Sequence, residues 1–226
     1  MRRAIPWPAL LAISFLLVGL PSAGQQGSDG LALAQAAPRT SEPKAALAPA
    51  ALVRELRTGG YVLYFRHAAT DFSQSDAKSR GPTDCANQRN LTDKGRDEAR
   101  AIGRAFAELG IPVGQVLASP MCRTDETAKL IFGKAEPAPA VRGDPDFPAA
   151  DPRRYETLRK LLTALVPAGT NLAISGHGNP FYSVAGPPRL QEGEMAVIKS
   201  AGSDFEVVAK VPPRAWRGIL AAVRKE

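Results

Sequence analysis

Hydrophobic residues follow two different spacings along the chain, and the spacing changes several times after residue 50. Short apolar runs bounded by glycine or polar residues predict buried strands, and apolar residues repeated every three or four positions predict helices. The predicted strands cover residues 61–65, 115–118 and 171–175, and a predicted hairpin joins 195–199 to 205–209. The predicted helices cover residues 52–56, 93–109, 120–132, 155–165 and 216–223.

Two of these helices have clear starting signals. Thr92 precedes one helix and is a favoured N-cap residue. Ser119 precedes another as its predicted cap, and Pro120 suits the first helical position. The polar segment 69–89 and the proline-rich segment 135–152 predict loops between the regular elements.

The order of the elements predicts the fold class. Strands alternate with helices, and each step from a strand to the next helix is short. This pattern is typical of an α/β domain with three layers, α/β/α, around a mainly parallel sheet. The sequence contains no internal repeat and no glycine-rich dinucleotide or Walker loop.

The first 49 residues differ from the rest in composition. Arg2 and Arg3 precede an apolar run at residues 9–20 and a group of small residues, which predicts a signal peptide over residues 1–24. Residues 25–49 are rich in Ala, Gly, Ser, Gln and Pro and predict a flexible linker. The folded domain would cover residues 50–226. We therefore expect a secreted or periplasmic protein with no stable membrane span after signal removal; an uncleaved signal that serves as an anchor stays open.

Charge and cysteine content narrow the choice of ligands. The formal net charge of +7 favours anionic ligands, including phosphate esters. The chain has no Lys/Arg run of five and no basic stripe interleaved with aromatic residues, which argues against nucleic acid as a partner. Cys85 and Cys122 are an even pair in an exported chain, which favours a disulfide over two buried thiols. A zinc site built from these cysteines with His67 and His177 matches no common spacing.

Both histidines of the chain follow the end of a predicted strand. His67 comes after Arg66, and His177 comes after Gly176. Arg123 follows the third strand, in the predicted first turn of the next helix. Ligands of parallel α/β sheets bind at the carboxyl ends of the strands, so we expect these histidines and arginines to meet at one edge.

Four segments in this part of the sequence resemble the motifs of the histidine phosphatase (phosphoglycerate-mutase-like) superfamily. Residues 66–70 read Arg-His-Ala-Ala-Thr, and residues 89–95 read Arg-Asn-Leu-Thr-Asp-Lys-Gly. Residues 119–128 resemble the Ser-Pro-x-x-Arg-x-x-x-Thr-Ala segment, and Gly-His-Gly at 176–178 resembles the motif of the second histidine. The matches occur in the order of the family and span about residues 60–200.

The resemblance implies a phosphoglycerate-mutase-like fold and a phosphomonoester hydrolase that needs no metal and no cofactor. His67 would be the nucleophile and would carry a phosphohistidine. The phosphate would be held by Arg66, Arg123, His177 and Thr70, and His177 would act as a charged donor. The implied partner is a phosphorylated small molecule or a phosphorylated envelope component.

The acid that protonates the leaving group is the point at which the chain departs from the family. Gly178 and Asn179 follow His177, where one branch has an aspartate. The remaining carboxylate candidates lie elsewhere: Glu126, Asp144, Asp146 and Asp151. Glu126 is equally placed to pair with Arg123. Two alternatives therefore stay open beside the phosphatase, namely a phosphomutase and a phosphate-binding protein of the same fold without turnover.

Overall fold

The computed structural model describes residues 47–225, so the predicted signal peptide and linker residues 25–46 lie outside the described residues. No helix within 47–225 is long and apolar enough to cross a membrane. The helices of this region are α1 (Pro49–Thr58), α2 (Asp93–Glu108), α3 (Cys122–Phe132), α4 (Glu156–Leu162), α5 (Gly178–Ala185) and α6 (Trp216–Val223). Its strands are β1 (Tyr61–Arg66), β2 (Val116–Ala118), β3 (Glu136–Pro137), β4 (Leu172–Gly176), β5 (Met195–Ser200) and β6 (Phe205–Val211).

The strands of the described region form one sheet in the order β3-β2-β4-β1-β5-β6. The pairs among β3, β2, β4 and β1 are parallel, whereas β5 pairs antiparallel with both β1 and β6. The predicted mainly parallel sheet and the predicted hairpin are both confirmed. The antiparallel pairing of β5 with β1 matters for the site, because it brings the segment that precedes β5 to the carboxyl end of β1.

Successive residues of β1 point to opposite faces of the sheet, and each face is covered by helices. Leu63 and Phe65 belong to a buried cluster that includes residues of α1, α2 and α6. Val62 and Tyr64 belong to a second buried cluster with residues of α4 and α5. The three-layer α/β/α prediction is therefore confirmed, and the core lies on both sides of a buried central strand.

Several elements differ from the sequence prediction. Helix α3 begins at Cys122 rather than at Pro120, and α4 ends at Leu162 rather than at Leu165, which is 85% exposed. The Thr163 hydroxyl donates hydrogen bonds to the carbonyls of Arg159 and Lys160, at the end of the helix. Pro167 disfavours helical backbone at the residue before it. Helix α5 and strand β3 were not predicted.

Candidate active site

The carboxyl ends of β1, β4 and β2 meet at one edge of the sheet, as the sequence predicts. In the parallel pairing of β1 with β4, Arg66 is the partner of Gly176, so the two histidines that follow lie side by side. The ring centroids of His67 and His177 are 5.7 Å apart. Ser119, which follows β2, shares a 2.8 Å hydrogen bond between its hydroxyl and Nε2 of His177.

His67 is nearly inaccessible, with 2% of its surface exposed. Its Nδ1–H donates a 2.9 Å hydrogen bond to the carbonyl of Ala68, which fixes the tautomer and leaves Nε2 with its lone pair. Burial lowers the pKa of His67 to about 3; the bond to Ala68 opposes this shift, and the charges of Arg123 and Arg66 add to it. The ring is therefore neutral at pH 7, as a nucleophilic imidazole must be.

His177 is held by its main chain rather than by a charged partner. The Tyr64 hydroxyl accepts a 2.9 Å hydrogen bond from the His177 N–H and donates one of 2.9 Å to its carbonyl. Burial lowers the pKa of His177 well below its usual value, and the charges of Arg123, His67, Arg142 and Arg66 lower it further. In the unliganded site a neutral His177 is therefore favoured, and the charged donor stays an expectation for the complex with phosphate.

Arg66 extends from the end of β1 toward the segment before β5. Its Nη1 donates a 2.9 Å hydrogen bond to the carbonyl of Leu190, and its Nη2 lies 3.5 Å from Oε1 of Glu192. The same carboxylate accepts a 2.7 Å hydrogen bond from the Thr70 hydroxyl. The hydroxyl of Thr70, expected to bind phosphate, is therefore bound to Glu192 in this structure.

Arg123 lies in the first turn of α3 and is 7% exposed. Its Nη1 and Nη2 are each 3.0 Å from a different oxygen of Asp76. Asp76 also accepts a 2.8 Å hydrogen bond from the backbone N–H of Arg89. Burial raises the pKa of Asp76, but the Arg89 N–H and the Arg123 guanidinium outweigh it and hold the pKa below its ordinary value.

Three arginines at this edge keep an unused donor. Within residues 47–225, the buried Nε–H groups of Arg66, Arg89 and Arg123 have no hydrogen-bond partner, and the remaining buried side-chain nitrogen without one belongs to Trp216. A buried polar group without a partner is costly, and most such groups in proteins are paired. Three guanidinium donors beside two neutral imidazoles therefore form a region that suits an oxyanion.

The start of α3 shows why the third motif needs its hydroxyl residues. Ser119 does not cap the helix, because its backbone N–H continues the sheet pairing by donating to Ser175 and its hydroxyl binds His177. The Thr127 hydroxyl accepts a 3.0 Å hydrogen bond from the Ala68 N–H and donates one of 2.7 Å to the Arg123 carbonyl. This side chain links the residue after His67 to the helix that carries Arg123.

The predicted disulfide is confirmed. Cys85 and Cys122 are bonded, with their Cα atoms 5.7 Å apart. The bridge joins the loop between β1 and α2 to the first residue of α3, next to Arg123. Because both sulfurs are bonded to each other, the zinc site that combined them with His67 and His177 is excluded.

The predicted acids lie in other environments. Glu126 binds Arg96, with a 2.7 Å hydrogen bond from Nε, rather than Arg123. Asp144 and Asp146 are exposed, and Asp144 accepts the backbone N–H of Asp146. Asp151 accepts from the backbone N–H of Arg153 and pairs with its guanidinium. The carboxylates that contact the arginines of the site are instead Asp76 and Glu192.

Sequence reasoning missed three residues of this site. Arg89 stands in the second motif, and a signal for it was therefore present. Asp76 and Glu192 belong to no motif, and they reach the site through a long loop and through the pairing of β5 with β1. The order of strands in the sheet would have been needed to place Glu192.

Comparisons with known proteins concern the family and the fold. Residues 62–160 match the family model described as histidine phosphatase superfamily (branch 1). The protein histidine phosphatase SixA, solved with tungstate, is 18% identical with a TM-score of 0.50, and the match covers 68% of this chain and 97% of that one. A phosphoserine phosphatase mutant from Entamoeba histolytica, solved with phosphoserine, is 11% identical with a TM-score of 0.49, and the match covers 68% and 98%. Comparison with curated proteins gives no match.

Proposed function

Because the chain carries a domain of the histidine phosphatase superfamily (branch 1), we propose that it hydrolyses phosphomonoesters through a phosphohistidine on His67. The observation that carries the proposal is the set of unpartnered buried Nε–H groups of Arg66, Arg89 and Arg123 beside a neutral His67. Together they offer oxyanion donors and a nucleophile in one place. Arg66, Arg123 and His177 would hold the phosphate, and the unpartnered buried Nε of Arg89 supports including Arg89 with them.

In the first step, Nε2 of His67 forms a bond to phosphorus while the ester P–O bond breaks. The leaving oxygen keeps the electron pair of that bond and takes a proton from solvent. In the second step, water attacks phosphorus, the P–Nε2 bond breaks, and its electron pair returns to the ring as inorganic phosphate leaves. Guanidinium groups stabilise the charge on the equatorial oxygens in both steps.

His177 would contribute through its hydrogen bond with Ser119. A phosphate dianion beside the ring favours the imidazolium, so we expect substrate binding to raise the pKa of His177. His177 would then donate to a phosphoryl oxygen, with Ser119 keeping the ring in place. His177 would therefore become the expected charged donor only when the phosphate ester is bound.

The protonation of the leaving group distinguishes this site from one with a dedicated acid. Glu126 is bound to Arg96, and Asp144 and Asp146 are exposed. We therefore propose that good leaving groups react well and that alkyl esters react slowly. The physiological substrate would be a phosphorylated small molecule or envelope component met outside the cytoplasm, and catalysis would need no metal.

A phosphate-binding protein without turnover is the second candidate. It is favoured by the engagement of Glu126 with Arg96, which leaves this candidate acid bound elsewhere. The two candidates differ on p-nitrophenyl phosphate, whose leaving group needs little help from an acid. The enzyme turns this ester over, whereas the binding protein only binds inorganic phosphate or tungstate.

The experiment uses the full chain made in an oxidising compartment, with p-nitrophenyl phosphate as substrate. Arg123→Gln should lower kcat/KM by about 10²–10³, comparable to the loss of an oxyanion donor. Arg100→Gln is the matched control, because Arg100 is exposed and, among residues 47–225, pairs with Asp97 on α2. Activity should persist in EDTA. Absence of turnover with retained tungstate binding would favour the second candidate, and a loss in EDTA reversed by one divalent metal would overturn the mechanism.

A further inference from the structure

Two carboxylates outside the sequence motifs contact the arginines of the proposed phosphate site. Asp76 comes from a 3₁₀ turn in the loop between β1 and α2, and Glu192 comes from the segment before β5. We propose that Asp76 and Glu192 are positioning residues that hold Arg123 and Arg66 so that their Nε–H groups face the phosphate. This inference rests on the proposed function and deepens it.

Asp76 binds Arg123 at the end of its guanidinium, through both Nη1 and Nη2. Oδ1 is 3.0 Å from Nη1, and Oδ2 is 3.0 Å from Nη2. The carboxylate is itself fixed, because Oδ1 also accepts the backbone N–H of Arg89 at 2.8 Å. Because this fixed carboxylate binds both Nη1 and Nη2 of the planar guanidinium, the Arg123 guanidinium has little freedom to rotate.

This end-on pairing leaves free the Nε–H side of the Arg123 guanidinium, which would bind the phosphate. A guanidinium has five N–H groups in a fixed plane, and a carboxylate bound across Nη1 and Nη2 occupies two of them. The Nε–H and the neighbouring Nη2–H remain on the side of the fork, and the buried Nε of Arg123 has no partner. Asp76 therefore orients Arg123 for a side-on phosphate and does not compete with it.

Glu192 has the corresponding position for Arg66. Thr70 anchors its carboxylate, with the hydroxyl at 2.7 Å and the backbone N–H at 3.3 Å. Arg66 is then held at Nη2 by Glu192 and at Nη1 by the Leu190 carbonyl. Its buried Nε lacks a partner, as in Arg123. The Thr70 hydroxyl thus supports the phosphate site through Glu192 and Arg66.

Glu192 also lies near the nucleophile. Its Oε1 is 3.9 Å from Nδ1 of His67, and the carboxylate is 16% exposed. When Nε2 takes the phosphoryl group, the imidazole ring gains positive charge. A carboxylate on the opposite side of the ring stabilises that charge without contacting the substrate. This second contact predicts an effect of Glu192 on the accumulation of the phosphohistidine.

The test is a pair of double-mutant cycles on p-nitrophenyl phosphate turnover by the full chain. Asp76→Asn and Glu192→Gln should each lower kcat/KM by about 10- to 100-fold, as is typical of partners that orient a functional side chain. Each should have little further effect when its arginine is already replaced in Arg123→Gln or Arg66→Gln. Asp97→Asn, which removes the exposed partner of Arg100, is the control and should leave kcat/KM unchanged.

The outcomes separate this inference from the proposed function. If the arginine variants themselves keep full kcat/KM, the phosphate site is wrong. If they lose activity while Asp76→Asn and Glu192→Gln do not, or if the losses simply add, the positioning role is wrong and the phosphate site stands. A Glu192→Gln effect confined to phenyl phosphate, a poorer leaving group, would mark a proton donor and also overturn positioning. If Asp76→Asn fails to fold, Asp76→Glu replaces it in the test. This variant keeps the charge but displaces the carboxylate that holds Arg123, so it must lower kcat/KM.

Discussion

At the scale of single residues, the site combines burial with a fixed tautomer. His67 is 2% exposed, and its Nδ1–H is bound to the Ala68 carbonyl, so the lone pair of Nε2 is the part of the ring left for chemistry. Both effects follow from one position, the residue directly after a central strand. The same position explains why the residue could be singled out from the sequence.

The first prediction concerns the charge of the two histidines in the unliganded protein. With a pKa of about 3, His67 stays neutral as the pH falls from 8 to 5, and the pKa of His177 is also well below 6.5. NMR titration should therefore show no protonation step of His67 in that range and no step of His177 at its ordinary value near pH 6.5. His177→Gln assigns the signals. A step near pH 6.5, the ordinary histidine value, would contradict the account.

Asp76 and Glu192 are the carboxylates of the site that could not be predicted from the sequence. His67, His177, Arg66 and Arg123 follow strands in motifs with a fixed spacing, so their meeting could be predicted. Glu192 is 125 positions from His67, and it reaches the site because β5 pairs antiparallel with β1. Hydrophobic spacing reveals a hairpin but not which strand it joins.

At the scale of the elements, helix α2 packs unusually close to the loop after His67. The Thr92 hydroxyl caps α2 by accepting the Gly95 N–H at 3.0 Å, as predicted. A Cβ at Gly95 would lie 2.2 Å from the Ala69 carbonyl oxygen, so a side chain cannot fit without moving the backbone. The glycine of the second motif thus lets the helix support the nucleophile loop.

Gly95→Ala should therefore destabilise the protein and also lower kcat on p-nitrophenyl phosphate in the fraction that remains folded. We expect a loss of about 1–3 kcal/mol, typical of overpacking. Denaturant unfolding and kcat measure the two effects. Gly103→Ala is the matched variant, because its Cβ would lie 2.5 Å from the Ile131 carbonyl oxygen, away from His67. It should lose stability and keep kcat, whereas equal kcat losses would refute the role given to Gly95.

The elements that sequence missed have physical reasons. Helix α5 starts directly after β4 with no side-chain cap, and its sequence opens with Gly178-Asn179-Pro180, a pattern that favours a turn. Strand β3 has only two residues and lies at the edge of the sheet, so no periodicity could reveal it. The long, strongly periodic helix α2 was predicted well because its spacing and its cap agree.

At the scale of the whole molecule, the alternation of strands and helices was enough to predict three layers and a mainly parallel sheet. The disulfide then joins the loop between β1 and α2 to the start of α3. Cys85 lies in the loop that carries Asp76 and Arg89, and Cys122 is the first residue of α3. Buried Gln88 adds to this link, since its side-chain oxygen accepts the Cys122 N–H at 3.0 Å.

Replacing both cysteines by serine should lower stability and weaken the site together. The closed loop, with a sequence separation of 37, is worth roughly 3–4 kcal/mol in the chain-entropy model. Because Asp76 and Arg89 contact Arg123 from this loop, KM for p-nitrophenyl phosphate should also rise. Thermal unfolding and steady-state kinetics measure both changes. A lower melting temperature with unchanged KM would show that the bridge acts on the fold alone.

Rapid-quench trapping tests whether the phosphoryl group passes through His67. The full chain is mixed with p-nitrophenyl phosphate, quenched in alkali within milliseconds, and digested for mass analysis of the peptide that contains residue 67. We expect an acid-labile phosphoryl group on His67, formed at least as fast as turnover and absent from His67→Asn. Turnover without any phosphorylated His67, or undiminished turnover in His67→Asn, would contradict this expectation.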